Sequence, residues 1–268
     1  MTATTLPREL RPLVSHSPVV ETLSESKRGC LRMGFELDSE GRSILRDLYR
    51  RAPIIVQQAL YFDEQMPQMP CVYILSSGGP NIDGDRYEQT IELARGAYAH
   101  ISTGAATKLA EMTNDYSAMR QHFRVEEDGY LEYLPEPTIP CRHTRFSSET
   151  LLTVAPSATV VYAEIYTCGR KYSGERFVYD LLSVTNRIER TDSTPLFREK
   201  FVIKPYDRQP QSVGIMGDYD HFANVVVATP PDKAERIYER TEAFIDHQRS
   251  LAAAITRLPE ECGSLLSH

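Results

Sequence analysis

Four times in this chain a tight turn interrupts a short alternating run of apolar and polar residues, and that recurrence constrains the fold more than any other feature. The turns are Arg95-Gly96, Asp128-Gly129, Pro156-Ser157 and Asp192-Ser193. Their second residues are separated by 33, 28 and 36 positions. Around them lie Thr90 to Leu93, Tyr98 to Ile101, Tyr130 to Leu134, Leu151 to Val154 and Val160 to Ile165, rich in the β-branched and aromatic residues that strands favour. Each unit reads as strand, turn, strand. A series of such units points to stacked or wrapped β-layers, a solenoid among them, although the period is too irregular to establish a repeat protein. Upstream, Leu31 to Leu37, the turn Asp38 to Gly41 and Ser43 to Leu48 form a hairpin signature. Val72 to Leu75 is a short strand that breaks at Ser76-Ser77-Gly78-Gly79-Pro80.

The period changes late in the chain. Ala234, Ile237, Tyr238, Thr241, Phe244, Ile245, Gln248, Leu251, Ala252 and Ile255 follow i, i+3, i+4, i+7 spacing, which predicts one amphipathic helix over 231–258. Pro231-Asp232 opens it and Pro259 closes it. A shorter helix is predicted over 105–112. Residues 1–26 are polar, carry Pro7, Pro12 and Pro18, and read as a flexible N-terminal arm. Residues 27–268 read as a single β-rich domain. The expected fold class is mainly β with a few helices, a stacked β-layer body with an amphipathic helix near the C-terminus.

Composition removes several function classes. Thirty basic against 37 acidic side chains, with no dense Lys/Arg tract, argue against a protein that neutralises phosphates, so no nucleic-acid partner is expected. The longest apolar runs, Val225 to Ala228 and Leu251 to Ile255, fall far short of the ~20 residues that span a bilayer. The first residues contain no apolar signal-peptide core. The five cysteines are scattered and never spaced as C-x-x-C, which reads as reduced thiols in a cytoplasmic protein.

A catalytic kit is missing. G-x-S-x-G, the P-loop, H-E-x-x-H and G-x-G-x-x-G do not occur, and no histidine lies four residues from another. Cys141-Arg142-His143 puts a thiol and an imidazole on one face of a strand, but a metal site needs more ligands, and an ordinary loop after Pro140 accounts for it. The densest polar run is Gly78-Gly79-Pro80-Asn81-Ile82-Asp83-Gly84-Asp85, followed by Glu88. Its two carboxylates suit a hard cation, nickel in an oxygen-rich site, or a water channel; they equally suit an Asx-type turn with solvated carboxylates. Glu164 interrupts the apolar strand Val160 to Tyr166, where a bare carboxylate is costly. It needs either a water-filled space or a cation, and Arg170 and Lys171 are the nearest candidates. Arg170 and Glu175 bracket a turn across which they can pair.

A series of segments runs through Ala52-Pro53, Val56-Gln57, Leu60-Tyr61, Gly78-Gly79, Ile82, Gly84-Asp85 and Ile101 to Lys108. It continues through Leu131 to Ile139, Ala163-Glu164, Gly169-Arg170, Gly174-Glu175, Asn186-Arg187, Pro195-Leu196 and Glu199-Lys200. Taken in order, the series resembles the UreD (also UreH) family of urease accessory proteins. The resemblance implies a non-catalytic scaffold with a β-helix-like body. It implies binding to apo-urease on one side and to the helical accessory protein UreF on the other. UreF in turn recruits the GTPase UreG, and nickel released on GTP hydrolysis passes through an internal tunnel to the urease active site. No cofactor is permanently bound; nickel is in transit. Carried over from the family, Asp85, Glu164 and Glu199 are the expected transient nickel ligands, and Thr107 and Lys108 line or flank the tunnel. Two departures stand out. Arg86 occupies a position where some relatives carry a second acid, and the chain closes with Cys262 to His268, so part of the family's C-terminal cap is expected to be missing. The alternatives are a β-helical carbohydrate-active enzyme using Asp83 with Asp85 or Glu164 with Glu199, and a generic β-rich interaction module. The first expects aromatic sugar platforms, and the chain has no Trp.

Overall fold

Three of the four turns are corners rather than hairpins. A computed structural model of the chain describes residues 7–13, 26–212, 215–259 and 262–267. It opens with the expected hairpin, β1 (Arg28–Leu37) antiparallel to β2 (Ser43–Arg51), followed by the antiparallel pair β3 (Ile54–Val56) and β4 (Cys71–Ser76). Three units then climb in parallel. β5 (Arg86–Leu93) turns at Arg95-Gly96 into β6 (Tyr98–Thr103), and β7 (Thr107–Leu109) follows. β8 (Ser117–Val125) turns at Asp128-Gly129 into β9 (Tyr130–Tyr133), with β10 (Thr138–Pro140) after it. β11 (Arg145–Val154) turns at Pro156-Ser157 into β12 (Thr159–Thr167).

The strand before each corner joins one sheet and the strand after it joins the other. β5, β8 and β11 pair in parallel, and so do β6, β9 and β12. The corners stack on one another through main-chain bonds, Tyr130 N to Ala97 O at 3.0 Å and Thr159 N to Gly129 O at 2.9 Å. Gly96 takes φ +70° there, a conformation that an L side chain resists. The fourth turn differs. β13 (Leu181–Glu189) and β14 (Pro195–Ile203) form a true antiparallel hairpin that ends the parallel series.

The late helix is shorter than the 3.6-residue spacing predicts. α1 covers only Pro231–Arg240, after β15 (His221–Ala228), and Thr241 leaves it with extended dihedrals. The remainder folds as β16 (Phe244–Asp246) and β17 (Leu251–Arg257), and β17 is captured by β18 (Gly263–Ser267). Tertiary pairing overrides the helix preference of Leu251 to Ala254. The expected helix over 105–112 is likewise replaced by β7, which pairs with β10. Of the expected N-terminal arm, residues 7–13 are packed: Leu10 is buried and Glu9 pairs with Lys200 at 2.8 Å. Residues 1–6 and 14–25 of that arm lie outside the described residues.

The result is a sandwich of a seven-stranded sheet, ordered β14-β13-β11-β8-β5-β1-β2, on a larger one whose path is β16-β17-β18-β15-β12-β9-β6-β4-β3. The expected mainly-β, stacked-layer architecture is borne out, and no helix among the described residues is long and apolar enough to cross a membrane. The core falls into two apolar clusters. Leu152, Tyr162, Ile188 and Val226 belong to one, and Phe146, Tyr166, Val184 and Phe222 to the other.

Candidate functional site

What divides the two clusters is a polar belt. Parallel in-register pairing places Gln89, Gln121 and Thr150 side by side on β5, β8 and β11. The row continues through Asn186 on β13 to Glu199 on β14. All five point into the sandwich, as the alternation with apolar inner neighbours requires. From the facing sheet come Tyr133 and Tyr162, which are register partners, and Glu164 and Asn224, which are another pair. The groups bond across the gap. Gln121 Nε2 donates to Gln89 Oε1 at 3.1 Å and to Tyr133 OH at 2.8 Å, and Thr150 Oγ1 lies 3.0 Å from Tyr162 OH. Asn186 Nδ2 donates to Glu164 Oε1 at 2.7 Å, and Asn224 Nδ2 to Glu199 Oε2 at 3.1 Å. Such a network is costly in a core unless it is satisfied.

One part is not satisfied by opposite charge. Glu164 is only 5 % exposed, and burial raises its carboxyl to about 7, with the nearby Glu199 pushing the same way and Asn186 pulling it back. Burial raises Glu199 as well. Among the described residues neither carboxylate has a cationic partner. The expected partners of Glu164 are engaged elsewhere: Arg170 Nε donates to Glu175 at 2.8 Å, and Lys171 pairs with Asp220 at 2.5 Å. The Arg170–Glu175 pairing across the turn is therefore present, while the ion pair to Glu164 is not. Asn186 Oδ1, also buried, has no hydrogen-bond partner among the described residues.

A cavity of about 390 Å³ lies between the sheets and ends at this cluster. Gly79, Thr107, Lys108, Gln121, Tyr162 and Glu164 are among its walls, with exposed Gly79 and Lys108 at its mouth. Three of the five residues singled out from the sequence thus share one space, and Glu199 stands behind Glu164 on the far sheet. Asp85 does not join them. It is 0 % exposed and accepts from Lys27 N at 2.6 Å and Ile82 N at 2.9 Å, with Lys27 Nζ at 3.0 Å. These bonds close the 78–85 loop upon the start of β1. Asp83 accepts from the main-chain N–H groups of Thr113, Asn114 and Asp115, a long-range tie between two loops rather than the Asx-type turn open to it from composition. Arg86 forks onto Asp115, both contacts at 3.1 Å. His143 sits 3.1 Å from Asp180, and no group of three His, Cys, Asp or Glu among the described residues could hold a metal ion.

Gln89, Gln121, Thr150, Asn186 and Asn224 were not expected from the sequence. A signal existed for four of them. Each lies seven or eight residues ahead of its turn, so the belt repeats at the spacing of the corners.

Comparison with known proteins places the chain in a family. A family model described as UreD urease accessory protein matches residues 27–267. The chain is 40% identical over 260 residues to urease accessory protein UreD 2 of Brucella ovis, covering 96% of this chain and 86% of that protein. It is 40% identical over 239 residues to urease accessory protein UreD of Yersinia pseudotuberculosis serotype O:1b, covering 88% and 74%. The motif series, the fold and these relatives agree, and the chain belongs to the UreD family of urease accessory proteins.

Proposed function

We propose that this protein serves urease maturation as a non-catalytic scaffold through which nickel, the cargo, reaches the urease active site. In this reading apo-urease, UreF and, through UreF, UreG are its partners. The observation that carries the proposal is the pair of inward carboxylates, Glu164 and Glu199, tied by Asn186 and Asn224 at the end of an open cavity and matched by no cation among the described residues. Carboxylate oxygens hold nickel less tightly than imidazole or thiolate does, and a site with few of them leaves the ion partly hydrated and free to move on. Thr107 and Lys108 sit toward the entrance of the same space. Asp85, fully engaged by Lys27 and Ile82, has a positioning role in this scheme: it holds the loop that forms the rim.

The carbohydrate-active alternative has less support. Asp83 and Asp85 are each occupied by main-chain donors, and Glu164 sits at the inner end of the cavity, held by an amide partner. The test is co-expression with urease subunits, UreF and UreG, comparing wild type with Glu164→Gln. Complex composition should be unchanged while the nickel content of urease falls. Full nickel loading by a Glu164→Gln complex of normal composition would exclude a path through this residue.

A further inference from the structure

The two sheets end unequally. β14, the last strand of the smaller sheet, lies over β15: the rings of Phe201 and Phe222 are 5.1 Å apart, and Asn224 reaches Glu199 at 3.1 Å. The larger sheet runs on past that line by three strands, β18, β17 and β16. At ~4.8 Å per strand the overhang is about 14 Å deep. Register decides which side chains face the missing layer. Leu265 and Thr256 continue the inward row of Val226, and Ser267 and Ala254 that of Asn224. Ala252 is next in alternation, with Ile245 opposite. Ala254, Thr256 and Ser267 are exposed, and Ile245 is 67 % exposed. Small and apolar side chains thus form a shelf with no sheet above it among the described residues.

The shelf borders an unused hydrogen-bonding edge. β14 pairs with β13 alone, and among the described residues no backbone group of 196–203 has a partner on the other side. On the outer face, Arg198 stands directly opposite Arg187 of β13. Both are exposed, and among the described residues neither has an acidic partner. Like charges directly opposite on a sheet face are unfavourable, and an acid one strand further out would relieve both. Lys200, two residues along, is already matched by Glu9.

We propose that this corner is the docking groove for an extended, acidic segment of a partner protein, which adds to β14 as an eighth strand of the smaller sheet and lies on the β16–β18 shelf. A free strand edge presents donors and acceptors at the spacing of an extended chain. The shelf supplies an apolar floor, and the two arginines select for acid. They also disfavour a second copy of this chain at the same edge, since that would bring Arg198 and Lys200 against their own kind. The inference rests on the scaffold reading and deepens it, because Glu199 is carried by β14 and the added strand would border the outer end of the belt.

Hydrogen exchange tests it, on the free protein and on the complex purified with co-expressed urease subunits and UreF. Amides of 195–203 should exchange about tenfold more slowly in the complex. Arg198→Glu, which satisfies Arg187 internally, and Ala254→Trp, which fills the exposed shelf, should each weaken partner retention about tenfold, whereas Arg198→Lys should not. Melting temperatures equal to wild type show that both variants fold. Equal exchange of 195–203 in the free and bound protein overturns the proposal, as does protection by self-association or full partner retention in both variants. A nickel-loading complex with an unprotected β14 removes this inference alone. Failure of any complex to form removes the scaffold reading with it.

Discussion

Replacing Glu164 by Gln should stabilise the metal-free protein at neutral and alkaline pH. The native carboxyl titrates at about 7 against an ordinary value of 4.5, because burial and Glu199 oppose its charge. The folded state therefore holds this proton more tightly than the unfolded chain does. The stability that comes with the proton is complete below pH 4.5, drains as pH rises, and is gone above about 7. At about 1.4 kcal/mol per pKa unit, the penalty of the ionised form is on the order of 3 kcal/mol. Gln keeps an oxygen for the Asn186 amide, does not titrate, and removes the repulsion with Glu199. The two proteins should therefore be equally stable near pH 4.5 and diverge through pH 7, the variant melting roughly 6–12 °C higher at pH 8. Thermal unfolding followed by circular dichroism at pH 5, 6, 7 and 8, with chelator present, measures this. Had Glu164 been neutralised by a buried cation, the same substitution would cost about 3–5 kcal/mol, the opposite sign. A variant that melts below wild type at pH 8, or curves that stay parallel, would refute the reasoning.

Asp85→Asn should behave differently, lowering stability by about 1.5–3 kcal/mol in urea unfolding, because the buried carboxylate accepts charge-assisted bonds from half-buried Lys27; an unchanged unfolding midpoint with impaired nickel loading would return Asp85 to the ion path. Gln121→Leu leaves Gln89 Oε1 and Tyr133 OH each without the amide that donates to it, and should cost about 1–3 kcal/mol for each group orphaned. Gly129→Ala places a methyl 2.7 Å from Val125 Cγ1 and 2.9 Å from the carbonyl of Glu126, so unfolding should come about 1–3 kcal/mol more easily. Soluble yield should rise on co-expression with UreF, since Phe244, Ile245 and Tyr206 are exposed in the isolated chain; equal yields would count against a scaffold that depends on its partners.

The β class was legible because alternation and turn residues act within a few positions of each other. Pairing was not. A tight turn between two alternating runs looks the same whether the second strand folds back on the first or crosses to another sheet, and only the Asp192-Ser193 turn does the former. The late helix was misread because Leu251 to Ala254 are good helix formers, whereas β16 folds back on Leu251 to Ala253 and β18, beyond the segment being read, takes Ala254 to Arg257. Glu164 announced itself as a charge in an apolar run, yet the amides that hold it come from residues 22 and 60 positions away, Asn186 and Asn224. The partner of Asp85 was out of reach for the same reason: its glycine-rich surroundings suggest an open ligand, while Lys27, which engages it, is 58 residues upstream.

The seven- or eight-residue offset between each belt residue and its turn restricts how this family can change length. A deletion of one residue within β5 after Gln89, or within β8 after Gln121, would turn the belt residue to the outer face of the sheet, since side chains alternate with every step. The opposite ends of the strands carry no such ruler. Segments 104–116, 134–144 and 168–180 leave and re-enter the sandwich through loops, a short β-strand or a 3-10 turn. Insertions and deletions among relatives should therefore collect on the loop side, and the corner side should keep its count from one protein to the next.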